Sequence, residues 1–173
     1  MSQLKVNSIV PVGGLASGYS GGVIQTVQVV DTTATTAIST TSYTDAGSLD
    51  VSITPSSTSN KILIIATTNI QAFVSSQEVS VGLRLLRGSS QIIEYPYAAV
   101  LEAGTSGNGR IFYNMNHTAS FLDSPSTTSS TTYKIQLKTY STSNSMKVQY
   151  NQNSSKSTII ALDRDWETRK LAV

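Results

Sequence analysis

The sequence contains no cysteine, which excludes a disulfide framework and a thiolate metal centre and leaves core packing, or burial between subunits, to supply stability. Charge is scarce as well: 13% of the residues are Asp, Glu, Lys or Arg, against a usual share of about 25%. Much of the remainder is Ser and Thr, so the surface is expected to be largely hydroxylic. A net charge of +2 conceals no basic run, because Lys61, Arg84, Arg87, Lys134, Lys138 and Lys147 are scattered among neutral stretches. That dispersal argues against a continuous electrostatic footprint for nucleic acid. Long apolar runs are missing too. Stretches such as Ile62 to Ala66 fall far short of the about 20 residues that cross a bilayer as a helix, and MSQLKVNSIVPVGG lacks the apolar core of a secretion signal. Neither membrane insertion nor conventional secretion is expected.

The signatures of catalysis are equally sparse. His117 is the single histidine, so one chain has no His-rich zinc centre; only a threefold assembly would repeat it into a convergent set. There is no GxSxG elbow for a serine nucleophile and no GxxxxGK[ST] loop for phosphates. The carboxylates Asp45, Asp50, Glu78, Glu94, Glu102, Asp123, Asp163, Asp165 and Glu167 show no paired spacing of the kind that general acid and base work requires. No catalytic residue, cofactor site or metal site is expected, and the reading is that of a noncatalytic protein. Asn116-His117-Thr118 and Asn153-Ser154-Ser155 fit the glycosylation acceptor pattern, which recurs easily in a chain so rich in Ser and Thr.

What the 173 residues do contain is β-structure around one core. Val23 to Val30 is rich in β-branched side chains, and Leu49 to Thr54 alternates with period two before Pro55. KILIIATTNIQAFV, Lys61 to Val74, reads as a strand buried on both faces that continues into an alternating section. Glu78 to Leu85 alternates, and Leu86-Arg87-Gly88-Ser89-Ser90 turns the chain into Gln91-Ile92-Ile93, the order of a hairpin. Glu102 to Gly109 reads as a loop leading into a strand pair within Arg110 to Leu122. Thr132 to Lys138, Met146 to Tyr150 and Thr158 to Leu162 complete the set. Seven or more short strands without a convincing amphipathic helix predict an all-β fold, an antiparallel β-sandwich of jelly-roll type.

Ahead of this body, Leu4, Val6 and Ile9 alternate briefly, Pro11 restricts continuation, and Gly13, Gly14, Gly18, Gly21 and Gly22 form a flexible connector. Residues 1–21 therefore read as an attachment arm whose Leu4, Val6 and Ile9 anchor it to a partner, residues 22–163 as the sandwich, and 164–173 as a charged extension. Tyr95, Tyr97, Phe112, Tyr113 and Phe121 are the candidate contact residues. Tyr joins apolar area to a hydroxyl, which suits either a glycan-facing platform or packing between subunits.

In ordered succession, MSQLKVNSIV, SNKILI, RLLRGSSQI, FLDSPSTTSSTTYKIQLKT and STIIALD resemble the small phage virion modules of tail-fibre and related appendage proteins. The resemblance implies a β-rich component of a virion, often threefold symmetric, on its external surface or tail appendage. It implies partners of two kinds: copies of the chain in a homotrimer, and another phage structural protein held through the N-terminal arm. The absence of an extended repeated shaft favours a compact appendage, adaptor or capsid-decoration module over a full fibre. The alternatives from other classes are a module adhering to a host-surface glycan and a depolymerase of surface polymers.

Overall fold

The computed structural model describes residues 23–33, 38–74, 79–101, 111–140, 145–148 and 155–164, and only the backbone of residues 72–74, 79, 99, 101, 111–113 and 145–148. The predicted arm residues Leu4, Val6 and Ile9 lie outside the described residues, as do residues 165–173 of the predicted extension, whose first residue, Arg164, ends β9. Nine strands follow in order: β1 (Val23–Asp31), β2 (Thr44–Ile53), β3 (Lys61–Val74), β4 (Val79–Arg87), β5 (Ser90–Leu101), β6 (Ile111–Asp123), β7 (Thr131–Thr139), β8 (Ser145–Val148) and β9 (Ser157–Arg164). Among the described residues there is no helix.

The strands form two antiparallel sheets with orders β1-β9-β3-β6 and β2-β7-β4-β5, and β8 pairs with part of β3. Setting the short β8 aside, β9 takes the eighth place. The orders then become 1-8-3-6 and 2-7-4-5, the double Greek key of a jelly roll. The all-β sandwich expected from the alternating segments is what the chain forms.

Alternation explains how the core is filled. Along β7 and β9 every second residue is buried and those between are half-exposed, the pattern of strands packed on one face. Leu49, Val51 and Ile53 of β2, Ile135 and Leu137 of β7 and Val81, Leu83 and Leu85 of β4 meet Ile62, Ile64 and Ala66 of β3, Ala119 of β6 and Ile159 and Ala161 of β9. Leu85 faces the core opposite Ile135, whereas Leu86 pairs with Lys134 on the other side of the strand and is buried there at 3% exposure, beside a register shift against β5. The next residues make the two-residue loop to β5, where Gly88 takes a φ of 58° that a side chain would strain.

The segment 110–122 differs from its sequence reading. It is not a strand pair but the single strand β6, matched to β3 from Ile62↔Asp123 to Val74↔Ile111. Its polar residues do not mark a turn. Asn114, Asn116, Thr118 and Ser120 occupy one face while Met115, His117, Ala119 and Phe121 occupy the other, so the polarity is that of an outward face with period two.

Three buried aspartates fix the sandwich: Asp31 and Asp123 join the two sheets, and Asp163 holds the turn that leads from one to the other. Asp31 at the end of β1 accepts from the Ser48 amide of β2 at 2.9 Å and from the Thr33 amide at 2.8 Å. Asp123 at the end of β6 accepts from the Tyr133 hydroxyl of β7 at 2.7 Å and pairs with Arg87 of β4 at 2.9 Å. Asp163 of β9, fully buried, accepts from the Ser56 amide at 2.9 Å, the Ser56 hydroxyl at 3.1 Å and the Asn60 side-chain amide at 2.9 Å. A buried carboxylate is tolerated only when its lone pairs are filled in this way.

Ile135 sits at the centre of the core with 1% exposure. Ile135→Ala is expected to lower the unfolding free energy by about 2–5 kcal/mol through lost burial and the cavity left behind, as read from urea denaturation followed by circular dichroism.

Candidate functional site

Among the described residues, the outward face of the β2-β7-β4-β5 sheet carries a connected grouping of polar and aromatic side chains. Strand register places Asp45, Gln136, Arg84 and Glu94 in one row across all four strands. Gln136 donates to Asp45 at 2.7 Å, and the Arg84 guanidinium donates to the Gln136 carbonyl at 2.9 and 2.6 Å. Gln91 closes the far end, accepting from Arg84 at 3.3 Å and donating to Glu94 at 3.1 Å. Charge and amide alternate along the row, so each group meets a complementary neighbour.

Beside this row Tyr43 lies over the sheet. Its ring lies 4.3 Å from the Arg84 guanidinium carbon and 4.6 Å from the Lys138 ammonium, and its hydroxyl donates to Glu94 at 2.7 Å. The path runs above Gly82, where an added Cβ would stand 2.9 Å from the Tyr43 oxygen and 3.0 Å from Lys138 Cε. A glycine within an alternating strand here clears the space that the tyrosine and lysine fill. Burial, then the hydrogen bond and charge of Glu94, push the Tyr43 phenol well above its ordinary range. The same bond is the main influence holding the Glu94 carboxyl below its ordinary value. Both groups thus keep the protonation states that the bond needs at neutral pH.

Lys138 extends the array. Its ammonium lies 4.7 Å from the ring of Tyr140 and 3.8 Å from Glu94, an arrangement of cation over aromatic face. Tyr140 in turn stacks on Tyr97, with ring centroids 5.1 Å apart and planes 15° from parallel. Tyr97 is 65% exposed and Tyr140 39%. Beside the β2 bulge, on the same sheet, a cavity of about 340 Å³ is lined by residues including Asp45, Leu49, Asp50 and Lys134. Lys134 there is already paired with Asp45 at 3.0 Å.

The residues singled out in the sequence are dispersed by this geometry. Tyr97 is on the exposed face. Tyr95 is half-buried against the core and meets His117 edge-on, centroids 5.0 Å apart, and Phe121 packs on the core. The side chains of Phe112 and Tyr113 lie outside the described residues. Tyr43 and Tyr140 join the site although composition did not mark them, since each stands among Ser and Thr at a strand end. Two signals would have found them: Gly82 interrupting a strong alternation, and Tyr140 two residues beyond Lys138, on the same face of an extended chain.

His117 faces inward, opposite Thr68, rather than outward toward a symmetry axis. Burial depresses its pKa, partly offset by the hydrogen bond to the Ala98 backbone. Among the described residues, no group of three His, Cys, Asp or Glu is placed to hold a metal ion. Asp45 and Glu94, the carboxylates of the outward row, stand on the two edge strands. Three strand spacings, about 14 Å, separate their backbones, and Gln136, Arg84 and Gln91 fill the row between the two carboxylates.

No protein-family model matches the chain, and no curated protein sequence is similar to it. Among solved structures, the chain is similar to a chain in derived T=1 particles of infectious bursal virus, with 11% identity, a TM-score of 0.38 and coverage of 94% of this chain and 41% of the other. A second is from the Gx strain of infectious bursal disease virus, with 16% identity, a TM-score of 0.34 and coverage of 83% and 39%. The chain spans about two-fifths of the length of these structures. The strand order of the two sheets is what makes the chain a jelly roll.

Because the folded-state pKa of His117 lies below its ordinary value of 6.5, the unfolded chain takes up a proton first as pH falls. Stability should therefore decline below about pH 6.5, until the folded state also protonates. As this is the single histidine, His117→Gln should flatten that decline; melting temperatures between pH 7.5 and 5.5 for both proteins provide the check.

Proposed function

We propose that this chain is a noncatalytic structural module of a phage virion, a compact component of a tail appendage or of the external surface that assembles as a homotrimer. One observation supports assembly above the others. On the outward face of the β1-β9-β3-β6 sheet, register sets Leu122, Leu63 and Leu162 side by side, and in the next row Ile65 beside Ile160. Leu122 is 37% exposed and the other four are half-buried. The following row is Thr118, Thr67 and Thr158, with a hydrogen bond of 3.0 Å between Thr67 and Thr118. These three rows carry no charge. A contiguous aliphatic patch among uncharged rows of a sheet face is the kind of surface that marks a protein contact.

Jelly rolls recur in viral capsid and lectin domains, and the virion reading draws on the resemblance of five ordered segments to phage appendage modules. The noncatalytic reading is supported by the partners of the carboxylates: Asp31 and Asp123 hold the sheets together, Asp163 fixes the turn after β2, and Asp45 and Glu94 are bound within the outward row. Residues 1–21 are proposed as the arm that attaches the module to another structural protein, with Leu4, Val6 and Ile9 adding a short strand or filling a groove on that partner.

The protein purified from virions is expected to sediment as a trimer, and Leu63→Lys combined with Ile160→Lys to shift it toward the monomer with the β-sheet circular dichroism retained. A stable wild-type monomer would exclude the trimer. For the arm, a chain beginning at Gly22 should fold but fail to enter particles; unchanged incorporation would remove the anchoring role from residues 1–21.

A further inference from the structure

We propose that the outward face of the β2-β7-β4-β5 sheet binds a neutral pyranose glycan, with Tyr97 as the stacking platform and Lys138 and Glu94 as partners for its hydroxyls. Such binding is separate from the structural role and independent of the trimer.

Tyr97 is the most exposed large hydrophobic residue among those described, at 65%, yet it is held in place by stacking on Tyr140. Tyr140 is itself braced by Lys138, and Lys138 by Tyr43 and Glu94. A ring that is both exposed and held pays little ordering entropy on binding, because its two side-chain torsions are already restricted. The apolar C–H face of a pyranose matches such a ring in size and polarity. Its equatorial hydroxyls then need donors and acceptors at the rim. Lys138 supplies donors, since its ammonium is engaged by two ring faces and by a carboxylate at 3.8 Å, a distance beyond a full hydrogen bond. Glu94, 3.8 Å from that ammonium, supplies an acceptor beside it through the carboxylate lone pairs that Tyr43 and Gln91 leave open.

The charges favour a neutral ligand. Arg84, Lys138 and Lys134 are interleaved with Glu94 and Asp45, and Glu94 lies closest to the platform lysine. A nucleic acid stacking its bases on Tyr97 would bring phosphates toward that carboxylate with too few unpaired cations to offset it. An uronate would meet the same repulsion.

The test uses the full-length protein and immobilised dextran, mannan and galactan, with polygalacturonate and single-stranded poly-dT as comparison ligands. Retention on at least one of the three neutral polysaccharides is expected. Tyr97→Ala should weaken that retention about tenfold or more, Tyr97→Phe should preserve it because the ring remains, and Lys138→Ala should weaken it. As Tyr97 is largely outside the core, its Ala variant should keep the wild-type melting temperature and sedimentation. No retention on any neutral polysaccharide would overturn the proposal, and so would retention unaffected by Tyr97→Ala or binding confined to poly-dT or polygalacturonate. A change of oligomeric mass in Tyr97→Ala would assign the pair to a subunit contact instead. Failure of the trimer would leave these readouts untouched.

Discussion

The fold depends on the placement of its last described strand between its first and third. β9 pairs with β1 from Val23↔Arg164 to Asp31↔Ser157 and with β3 from Lys61↔Arg164 to Thr67↔Thr158. Without it β1 has no partner in its sheet, half of β3 loses an edge, and Ile159 and Ala161 leave the core open. Asp163 ties the same strand to the turn after β2, so the closure of the sheet and the shape of that turn are one event. Contacts of this kind span more than a hundred residues, and the entropy of closing them must be met before their burial is gained.

This dependence also divides what the sequence makes visible from what it hides. A strand writes its own alternation into adjacent residues: Thr131 to Thr139 and Ser157 to Arg164 can be read directly, and so can the Gly88 hairpin, because the hairpin's cause is local. The order of strands cannot be read that way. Nothing within Ser157 to Arg164 states that its neighbours are residues 23–31 and 61–67, since many apolar alternating strands would satisfy the same pairing. β6 was obscured for a related reason, its outward Asn, Thr and Ser residues having the composition of a turn and the spacing of a strand face.

The candidate site was legible only at Tyr97. Its other members come together through register across four strands, which brings position 43 next to 138 and 138 next to 82. The aromatic residues that sit near one another in sequence, Tyr95 and Tyr97, are divided between interior and surface by a register shift between Val81 and Leu83 on the opposing strand. Proximity along the chain was therefore a poor guide to shared surface, while the glycine at 82, with no side chain to declare, marked the place where two distant segments overlap.

The two outward faces also differ in how solvent acts on them. The tyrosine face is held by ion pairs and cations over rings, at least partly exposed, so dissolved salt screens its attractions. The three rows from Leu122, Leu63 and Leu162 to the threonines hold no charge to screen. Burial of such a surface weakens on cooling and is strengthened by sulfate or phosphate, which are excluded from it. A single change of buffer thus acts on the opposite sides of this sandwich in opposite directions, loosening what is held by charge while favouring what is held by the expulsion of water.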